Sequence, residues 1–373
     1  MRKAIVLLGV ILPFTFSAAS VFSLSFIVTQ LSRAMRVSVP AVLWAVPIDF
    51  IGGAIGGVLL GHLSDHVGRK PVLLASSVIF SLSVLLASFA RGLWEVYLAW
   101  FFVGFGVNAE NGVSYPFVVE YLSTFRGLFG GLLQGLYFVG YIIDSLVFYL
   151  VPAWRQFLLT LGALSLLISL SILLVPETAR ASSTTGIGLR GFDKRTVMVT
   201  VGLSAVTVGA FMFSVPLLMI VPSFISEMGL GTRWLAPLAA IGFAGFVIGG
   251  WLSDLAGRAR TAVAFSTVGL LSSIGLMLIG RGYPGLAALA ISFFATGYFS
   301  FIGVWASESF PPEVRGVGTN TVFLAGRLIG GFSPAIAATL YPSSLRVGTA
   351  AMCAIANALA IAGYLVYVRA AGP

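Results

Sequence analysis

Residues 61–70 read Gly-His-Leu-Ser-Asp-His-Val-Gly-Arg-Lys, a short polar stretch between two long apolar runs. Residues 250–260 read Gly-Trp-Leu-Ser-Asp-Leu-Ala-Gly-Arg-Ala-Arg and also separate two apolar runs. Gly, Leu, Ser, Asp, Gly and Arg recur at a constant offset of 189 residues, and an Arg-Gly pair at 126–127 recurs at 315–316 with the same offset. Two unlinked motifs at one spacing indicate an internal duplication.

The apolar runs around these motifs point to a lipid bilayer as the solvent. Of 373 residues, 58% are hydrophobic and 9% are charged, whereas soluble domains carry about 25% charged residues. Twelve runs have the length of a membrane-spanning helix, roughly 20 residues. We predict an all-α integral membrane protein with twelve transmembrane helices in two pseudo-symmetric six-helix bundles.

The duplication sets the expected domain boundaries. The bundles are predicted at residues 1–178 and 196–373. A cytoplasmic linker is predicted between them at 179–195, because this stretch is rich in Ser, Thr and Gly. The first twenty residues mimic a signal peptide, but the uncharged run continues to Gln30, so residues 4–30 are predicted to be the first span.

The distribution of Lys and Arg predicts the orientation. Thirteen of the 21 fall on the side of the two termini, seven fall on the opposite side, and Arg327 lies within a span. Because positive residues accumulate on the cytoplasmic side, we expect a multi-pass plasma-membrane protein with both termini in the cytoplasm.

Other classes of function fit the composition poorly. The single Cys353 excludes an internal disulfide, and His62 and His66, both in one predicted loop, leave few ligands for zinc. Gly-rich residues 52–57 lack the Gly-Lys-[Ser/Thr] of a nucleotide loop, so close helix packing is expected there. We predict no metal, no cofactor, no enzymatic activity and no nucleic-acid partner, because the net charge of +9 is scattered between apolar runs.

The motif at 61–70 resembles the loop signature of the major facilitator superfamily of secondary transporters, G-x-L-[SA]-D-x-x-G-R-[KR]. The second-half copy matches it except that Ala259 replaces the last basic residue. The resemblance covers essentially the whole chain. It implies a monomer in the lipid bilayer that moves a small-molecule substrate by alternating access.

Finer resemblances point to proton symporters. Residues 308–318 are similar to the E-x-F-P-x-x-x-R-G-x-G element of sugar and organic-acid symporters. Residues 104–110, with Glu120 ten residues on, are similar to a pattern of phosphate and metabolite symporters, and residues 320–334 are similar to the N…G-R…P arrangement of aromatic-acid and sialate symporters. Two features depart from the family: the first span lacks the usual Asp of aromatic-acid and sugar symporters, and the fifth lacks the Gly-Pro-x-x-Gly-Gly of drug antiporters.

Ionisable residues within spans are functional candidates because a charge in hydrocarbon is costly. At 1.5 Å per residue, Glu110 lies roughly 15 Å and Arg327 roughly 18 Å from the cytoplasmic ends of their helices, near the bilayer midplane. Asp49 and Asp144 lie roughly 24 Å and 27 Å from the cytoplasmic charges of their spans, so we predict that they belong to an outer vestibule.

The midplane residues predict a transport site. Glu110 is the predicted proton-coupling residue, and Arg327, a planar fork for carboxylate or phosphate, is predicted to bind the substrate's anionic group. Each also has a structural alternative, in which Glu110 pairs permanently with Arg327 or with an asparagine, and Arg327 pairs with Glu110 or Asp144. The polar side chains expected to complete the substrate site are Asn108, Asn111, Gln134 and Asn320.

Charged residues and glycines at the cytoplasmic ends predict a latch that cross-links helices and separates when that side opens. The glycines permit tight turns and close helix contact; the alternative assigns the charges to topology alone. The predicted latch comprises Gly61, Asp65, Gly68, Arg69, Glu120 and Arg126 in the first half and Gly250, Asp254, Gly257, Arg258, Glu308 and Arg315 in the second.

The sequence therefore predicts a secondary active transporter that moves an organic anion by proton symport with alternating access. Glu110 would take the proton from outside, Arg327 would hold the anion, and the latch would open once both are loaded. The alternatives are symport of a sugar or other neutral metabolite, proton antiport of a drug or metabolite, and a membrane sensor that moves no solute.

Overall fold

The computed structural model describes residues 2–120, 125–174, 193–311 and 314–371; the side chains of residues 2–8, 65, 109–120 and 315–316 lie outside what it describes. Within the described ranges the chain forms α-helices and short 3-10 turns, with no β-strand. Of the predicted linker, only residues 193–195 are described, and Asp193 accepts a hydrogen bond from the backbone N–H of Thr196 (2.7 Å) as the cap of the next helix.

The first half of the described chain contains seven helices. They are α1 (Arg2–Met35), α2 (Val39–Leu43), α3 (Ala45–Val67), α4 (Arg69–Ala87), α5 (Leu93–Glu120), α6 (Arg126–Leu150) and α7 (Trp154–Ser169), which a 3-10 turn extends to Leu174.

The second half of the described chain contains eight helices. They are α8 (Lys194–Phe224), α9 (Leu235–Ala256), α10 (Arg258–Leu278), α11 (Gly282–Ala295), α12 (Ile302–Ser309), α13 (Arg315–Gly330), α14 (Ser333–Leu340) and α15 (Leu345–Ala371). Among the described residues, eleven helical segments are long and apolar enough to cross a membrane, and α5 supplies a further apolar segment at Leu93–Asn108. The predicted all-α membrane class is confirmed.

The helix boundaries repeat at the 189-residue offset of the sequence motifs. Helices α3 and α4 recur as α9 and α10, and in each pair one glycine separates the two helices. Helix α5 recurs as α11 together with α12, and α6 recurs as α13 together with α14. The duplication is therefore present in the local structure as well as in the motifs.

Two spans of the second half are interrupted, although each belongs to one of the twelve apolar runs, at about 284–307 and 317–341, that the sequence presents as continuous. A 3-10 turn at Thr296–Phe301 separates α11 from α12. Residues 331–332 separate α13 from α14, where glycines weaken the helix and Pro334 in the first turn of α14 has no N–H to continue it. The counterparts α5 and α6 are uninterrupted over their described lengths.

The predicted loop between the second and third spans is a single residue. Gly68 has φ 114° and its counterpart Gly257 has φ 90°, a backbone region that side chains other than glycine rarely adopt. One such residue suffices to end one helix and start the next. The prediction that His62 and His66 lie in a loop was wrong, because α3 extends to Val67 and holds both on its last turns.

Contacts divide the chain into two compact units. One comprises Met1–Tyr121 with Leu136–Ser183, and the other comprises Leu122–Gly135 with Thr184–Pro373. Helix α6 thus contributes residues 126–135 to the second unit and the rest of its length to the first. The bundle boundaries expected from the sequence stay a prediction.

Within the first unit, glycines bring α3 and α5 into close contact. A Cβ atom at Gly52 would overlap the backbone of Phe101, and one at Gly56 would overlap the backbone of Phe105. Close approach of backbones is the usual role of small residues in membrane helices. The packing interpretation of residues 52–57 is confirmed.

Candidate functional site

One polar assembly in the second compact unit joins four helices. We call it the Arg258 cluster. It consists of the side chains of Ser253, Asp254, Arg258 and Glu308 together with the backbone N–H groups of Gly127 and Leu128.

The guanidinium of Arg258 connects three of these helices. Its Nη1 donates to Oδ1 of Asp254 (2.5 Å) and to Oγ of Ser253 (2.7 Å) on α9. Its Nε and Nη2 donate to the two carboxylate oxygens of Glu308 on α12, at 3.1 and 3.2 Å. The side chains of Arg258 and Asp254 are 14% and 11% exposed, whereas that of Glu308 is 39% exposed. A bidentate guanidinium–carboxylate pair fixes geometry as well as charge.

Asp254 also binds the first turn of α6. Its Oδ1 accepts a hydrogen bond from the N–H of Gly127 (3.0 Å), and its Oδ2 accepts one from the N–H of Leu128 (2.9 Å). These N–H groups have no partner within their own helix, and the helix dipole is positive at this end. The carboxylate therefore fastens the start of α6 to α9 and α10.

A glycine stripe on α6 permits this contact. A Cβ atom at Gly127 would crowd Arg258, Ser253 and the backbone oxygen of Gly250, and one at Gly131 would crowd the backbone oxygen of Phe246. Gly250 in turn approaches the backbone oxygen of Gly127. Spacing by four residues places these glycines on one face of α6, so the two helices approach backbone to backbone.

The first-half motif repeats part of this geometry. The Oγ of Ser64 donates to the backbone oxygen of Gly61 at 2.7 Å, as Ser253 does to Gly250 at 2.6 Å. Arg69 is the first residue of α4, the position of Arg258 in α10, and is half-buried. Unlike at Gly250, no described atom lies within 4 Å of a Cβ built at Gly61.

Several predicted latch side chains cannot be added to this description. The side chains of Asp65, Glu120 and Arg315 lie outside the described residues. Arg126 is the exposed first residue of α6. The structure thus describes the latch at the start of α6 and at five second-half members: Gly250, Asp254, Gly257, Arg258 and Glu308.

Arg327 lies next to the interruption of α13. It occupies the last turn of that helix, is half-buried, and its guanidinium carbon lies 5.9 Å from the ring centre of Phe323. Asn320 is seven residues earlier, two helical turns, so both side chains project from about the same face. Asn320 is exposed.

Close packing of α13 on α8 fixes the backbone that carries Arg327. A Cβ atom at Gly326 would crowd Thr207 and Phe211 of α8, and one at Gly330 would crowd Phe211. These glycines lie on either side of Arg327, so the backbone that carries the guanidinium rests against α8.

Two predicted polar residues of the first unit lie at the α3–α5 contact. Asn108 lies against Gly53, and its Nδ2 is 3.5 Å from the backbone oxygen of Gly104. Asp49 of α3, which is 3% exposed, lies directly against Gly104 of α5. The structure therefore brings Asp49 and Asn108 to the same helix interface.

The remaining predicted site residues are less fully described. Glu110 and Asn111 belong to α5, but their side chains lie outside the described residues. Gln134 is half-buried on α6. Asp144, also on α6, is fully buried, and neither of its carboxylate oxygens has a hydrogen-bond partner in the described part of the chain.

Sequence reasoning missed Ser253 and the backbone donors of α6. Ser253 stands at the Ser position of the repeated motif, and that position was a usable signal. The N–H groups of Gly127 and Leu128 leave no trace in the side-chain pattern, because their role depends on the docking of α6 against α9. No group of three or more His, Cys, Asp or Glu that is able to hold a metal occurs among the described residues.

Duplicated sets of apolar helices, with ionisable side chains inside the spans and charged clusters at helix ends, define a multi-pass membrane transporter. Comparison with known proteins agrees. The chain belongs to the Major Facilitator Superfamily, whose sequence profile matches residues 8–334.

Individual relatives support the same class. The chain is 26% identical over 362 residues to a Bacillus subtilis (strain 168) protein described as a candidate niacin/nicotinamide transporter, covering 90% of this chain and 88% of that one. It is 27% identical over 343 residues to a protein of Cupriavidus pinatubonensis named for 4-methylmuconolactone transport, covering 86% and 79%. The inward-open structure of the Escherichia coli xylose transporter XylE shares the fold with a TM-score of 0.76 at 16% identity, covering 96% and 95%.

These findings confirm the predicted family and fold. The family and the relatives are transporters and not enzymes. The protein is a multi-pass integral membrane protein and a secondary transporter of small organic solutes.

Proposed function

We propose that the protein is a proton symporter of a small organic anion, with both termini in the cytoplasm and the plasma membrane as its location. The observation that carries the proposal is the position of Arg327, a half-buried cation within a span, in the last turn of α13 beside a helix interruption.

An arginine in such a position favours an anionic ligand. Its guanidinium stays protonated and offers a planar fork that matches a carboxylate. Interrupted helices near the middle of a span are also where related transporter folds bind substrates. Asn320 on the same face of α13 supplies an amide that is able to donate to or accept from the same solute.

The named solutes of the relatives support a carboxylate. Niacin and 4-methylmuconolactone are carboxylic acids and are ionised at neutral pH, and one of the relatives carries both names, niacin and its neutral amide. A neutral metabolite is therefore the second candidate. A preference for niacin over its neutral amide, lost together with the charge of Arg327, distinguishes the two.

Proton coupling is assigned to Glu110 of α5. A carboxyl within a span is neutral when isolated and ionises when a cation approaches, so its proton state is able to follow the conformation. In this cycle the Arg258 cluster holds the cytoplasmic side closed. Entry of proton and anion releases Asp254 from α6, and the cytoplasmic side opens.

Substitution of Arg327 tests the anion site. Purified protein in proteoliposomes is assayed for uptake of labelled carboxylic acids, beginning with niacin, with protein-free liposomes as the control for passive diffusion. We expect Arg327→Ala to lower uptake at least tenfold and Arg327→Lys to retain charge but lose the bidentate fork, with about tenfold weaker affinity. The matched control is Arg233→Ala, at an exposed arginine in the Thr232–Trp234 turn.

Unchanged uptake in Arg327→Ala would contradict anion recognition at this residue. Uptake that depends on Arg327 but is the same for niacin and nicotinamide would favour the neutral-metabolite function instead.

A further inference from the structure

Asp144 is a buried carboxyl group that the proposed cycle leaves unused. It lies on α6, six residues before the helix ends at Leu150, with 0% of its surface exposed. Within the described residues neither carboxylate oxygen has a hydrogen-bond partner. An ionised carboxylate in such a place costs several kcal/mol, so these surroundings favour the protonated, neutral form of the group.

Helix α1, which packs near Asp144, presents no ionisable group to it. On α6 itself Tyr141 lies one turn earlier, and its hydroxyl faces Ser25 of α1. Helix α1 packs against Tyr141 through Phe22 and Phe26, with ring centres 5.8 and 5.0 Å away. The sequence of α1 has no ionisable residue from position 4 to position 32.

Helix α7 holds one cation, and it is engaged elsewhere. Phe157 of α7 packs on Phe148 of α6 with ring centres 5.4 Å apart. The guanidinium of Arg155 donates to the backbone oxygens of Ser88 (2.7 Å) and Ala90 (2.9 Å). Among these described neighbours, then, no positive charge stabilises an ionised Asp144.

Helix α6 connects this carboxyl to the Arg258 cluster. Asp254 binds the N–H groups of residues 127 and 128, and Asp144 lies sixteen residues further on, about 24 Å along the helix. A helix of this length moves largely as a rigid element. A displacement of the first turn along the helix axis would therefore displace Asp144 as well.

We propose that Asp144 is a second proton site of the transport cycle, which holds its proton while Asp254 retains α6 and releases it when α6 moves. The proposal rests on the proton symport proposed above. One proton binds each carboxylate, of Glu110 and of Asp144, on the side of uptake, forming an O–H bond that breaks on the side of release. Two protons with one monovalent anion carry one net positive charge, so transport is electrogenic.

The Asp144→Asn variant tests this stoichiometry, because asparagine has the shape and neutrality of protonated aspartate. Proteoliposomes are loaded so that valinomycin and a tenfold potassium gradient set an inside-negative potential of about 59 mV. The probe is whichever carboxylic acid of a panel starting with niacin the wild-type protein takes up. We expect the potential to raise wild-type accumulation by up to about tenfold, for one net charge. Accumulation by Asp144→Asn should respond to a pH gradient but not to the potential, and Asp144→Glu should restore the response.

Two results would overturn the proposal while leaving proton symport intact: wild-type uptake driven by pH but indifferent to the potential, or an Asp144→Asn variant that still responds to it. Wild-type uptake that ignores the pH gradient altogether is a different result, since it defeats the proposed function as well.

Infrared spectroscopy of the reconstituted protein decides the matter if Asp144→Asn transports nothing. Protonated carboxylic acids have a C=O stretching band that ionised carboxylates lack. We expect this band to lose one component in Asp144→Asn and to be unchanged in Glu95→Gln, because Glu95 is exposed and accepts a hydrogen bond from the N–H of Arg91. An unchanged band in Asp144→Asn would show that Asp144 is ionised, and the proposal would fail.

Discussion

Asp254 and Glu308 bind the same guanidinium in different surroundings. The Asp254 side chain is 11% exposed and accepts two backbone N–H bonds besides Arg258, whereas that of Glu308 is 39% exposed and has Arg258 as its described partner. Partly buried pairs whose partners are also hydrogen-bonded contribute much more than exposed pairs, which solvent screens. Asp254 is therefore expected to contribute more than Glu308 to the free energy of unfolding.

We predict unequal losses of stability for the two neutral substitutions. Asp254→Asn should lower the free energy of unfolding by about 3 kcal/mol, and Glu308→Gln by less than about 1 kcal/mol. Thermal unfolding of the purified variants in detergent, followed by tryptophan fluorescence, measures the difference. Equal losses would mean that the contacts to the start of α6 contribute little.

The cluster also shows which residue-level features a sequence reveals. The Asp254–Arg258 pair follows from i, i+4 spacing at a helix junction, and Glu308 from its place in the E-x-F-P element. The other two partners of Asp254, the N–H groups of Gly127 and Leu128, cannot be predicted from the sequence. They meet Asp254 only through packing between helices that are about 126 residues apart in the chain. The side-chain environments of Glu110 and Asp65 stay predictions.

At the scale of the helix, glycines act in two ways that the sequence does not separate. Gly68 and Gly257 are required for their backbone conformation, since φ is 114° and 90°. Gly56 and Gly131 are required for space, since a Cβ would meet the backbone of the neighbouring helix. Gly61 meets neither condition among the described residues, although it belongs to the same motif.

Alanine substitution should distinguish a glycine required for its backbone conformation from one that meets neither condition, because the two changes in stability have opposite signs. Gly257→Ala forces a side chain into the left-handed region and should lower stability by about 1–2 kcal/mol. Gly61→Ala, within α3 and with no described atom in reach of the added methyl group, should be neutral or raise stability by up to about 1 kcal/mol. Chemical or thermal unfolding in detergent compares them. A loss at Gly61 as large as that at Gly257 would reveal a close contact that the described residues do not include.

Adjacent glycines of α3 provide a second matched pair. A methyl group at Gly56 would overlap the backbone of Phe105, whereas one at Gly57 would meet the Cβ of Asn108 at 3.9 Å, an ordinary contact. We expect Gly56→Ala to cost about 1–3 kcal/mol and Gly57→Ala to be neutral or stabilising. Folded yield and thermal unfolding are the measurements, and similar losses in both would argue against the close α3–α5 contact.

Helix interruptions were beyond the hydropathy pattern. The span of α13 and α14 is apolar on average despite Asn320 and Arg327, and only the sequence Gly-Gly-Phe-Ser-Pro at 330–334 signals the break. The turn at Thr296–Phe301 has one glycine and no proline, so its 3-10 geometry depends on tertiary packing. Average hydrophobicity over twenty residues detects a span but not its continuity.

For the whole molecule, the duplication accounts for the repeated order of helices. The two halves differ where this repeat is broken. The motif duplication, the all-α membrane class and the family were predictable because motif spacing and hydropathy are long-range signals. The second half departs from the first through its two interruptions, one of which adjoins Arg327. The solute was not predictable, because a few side chains determine it on a fold that many transporters share.

The measurement closest to the central claim follows solute and protons together in one vesicle. Reconstituted protein in liposomes containing a pH dye, with no imposed gradient, receives labelled carboxylic acids in turn, and protein-free liposomes correct for passive entry. The account predicts that uptake of one acid is accompanied by acidification of the interior, that both are lost in Arg327→Ala, and that the number of protons entering per solute molecule falls in Glu110→Gln. Protein-dependent uptake of labelled solute without any change in internal pH would contradict it.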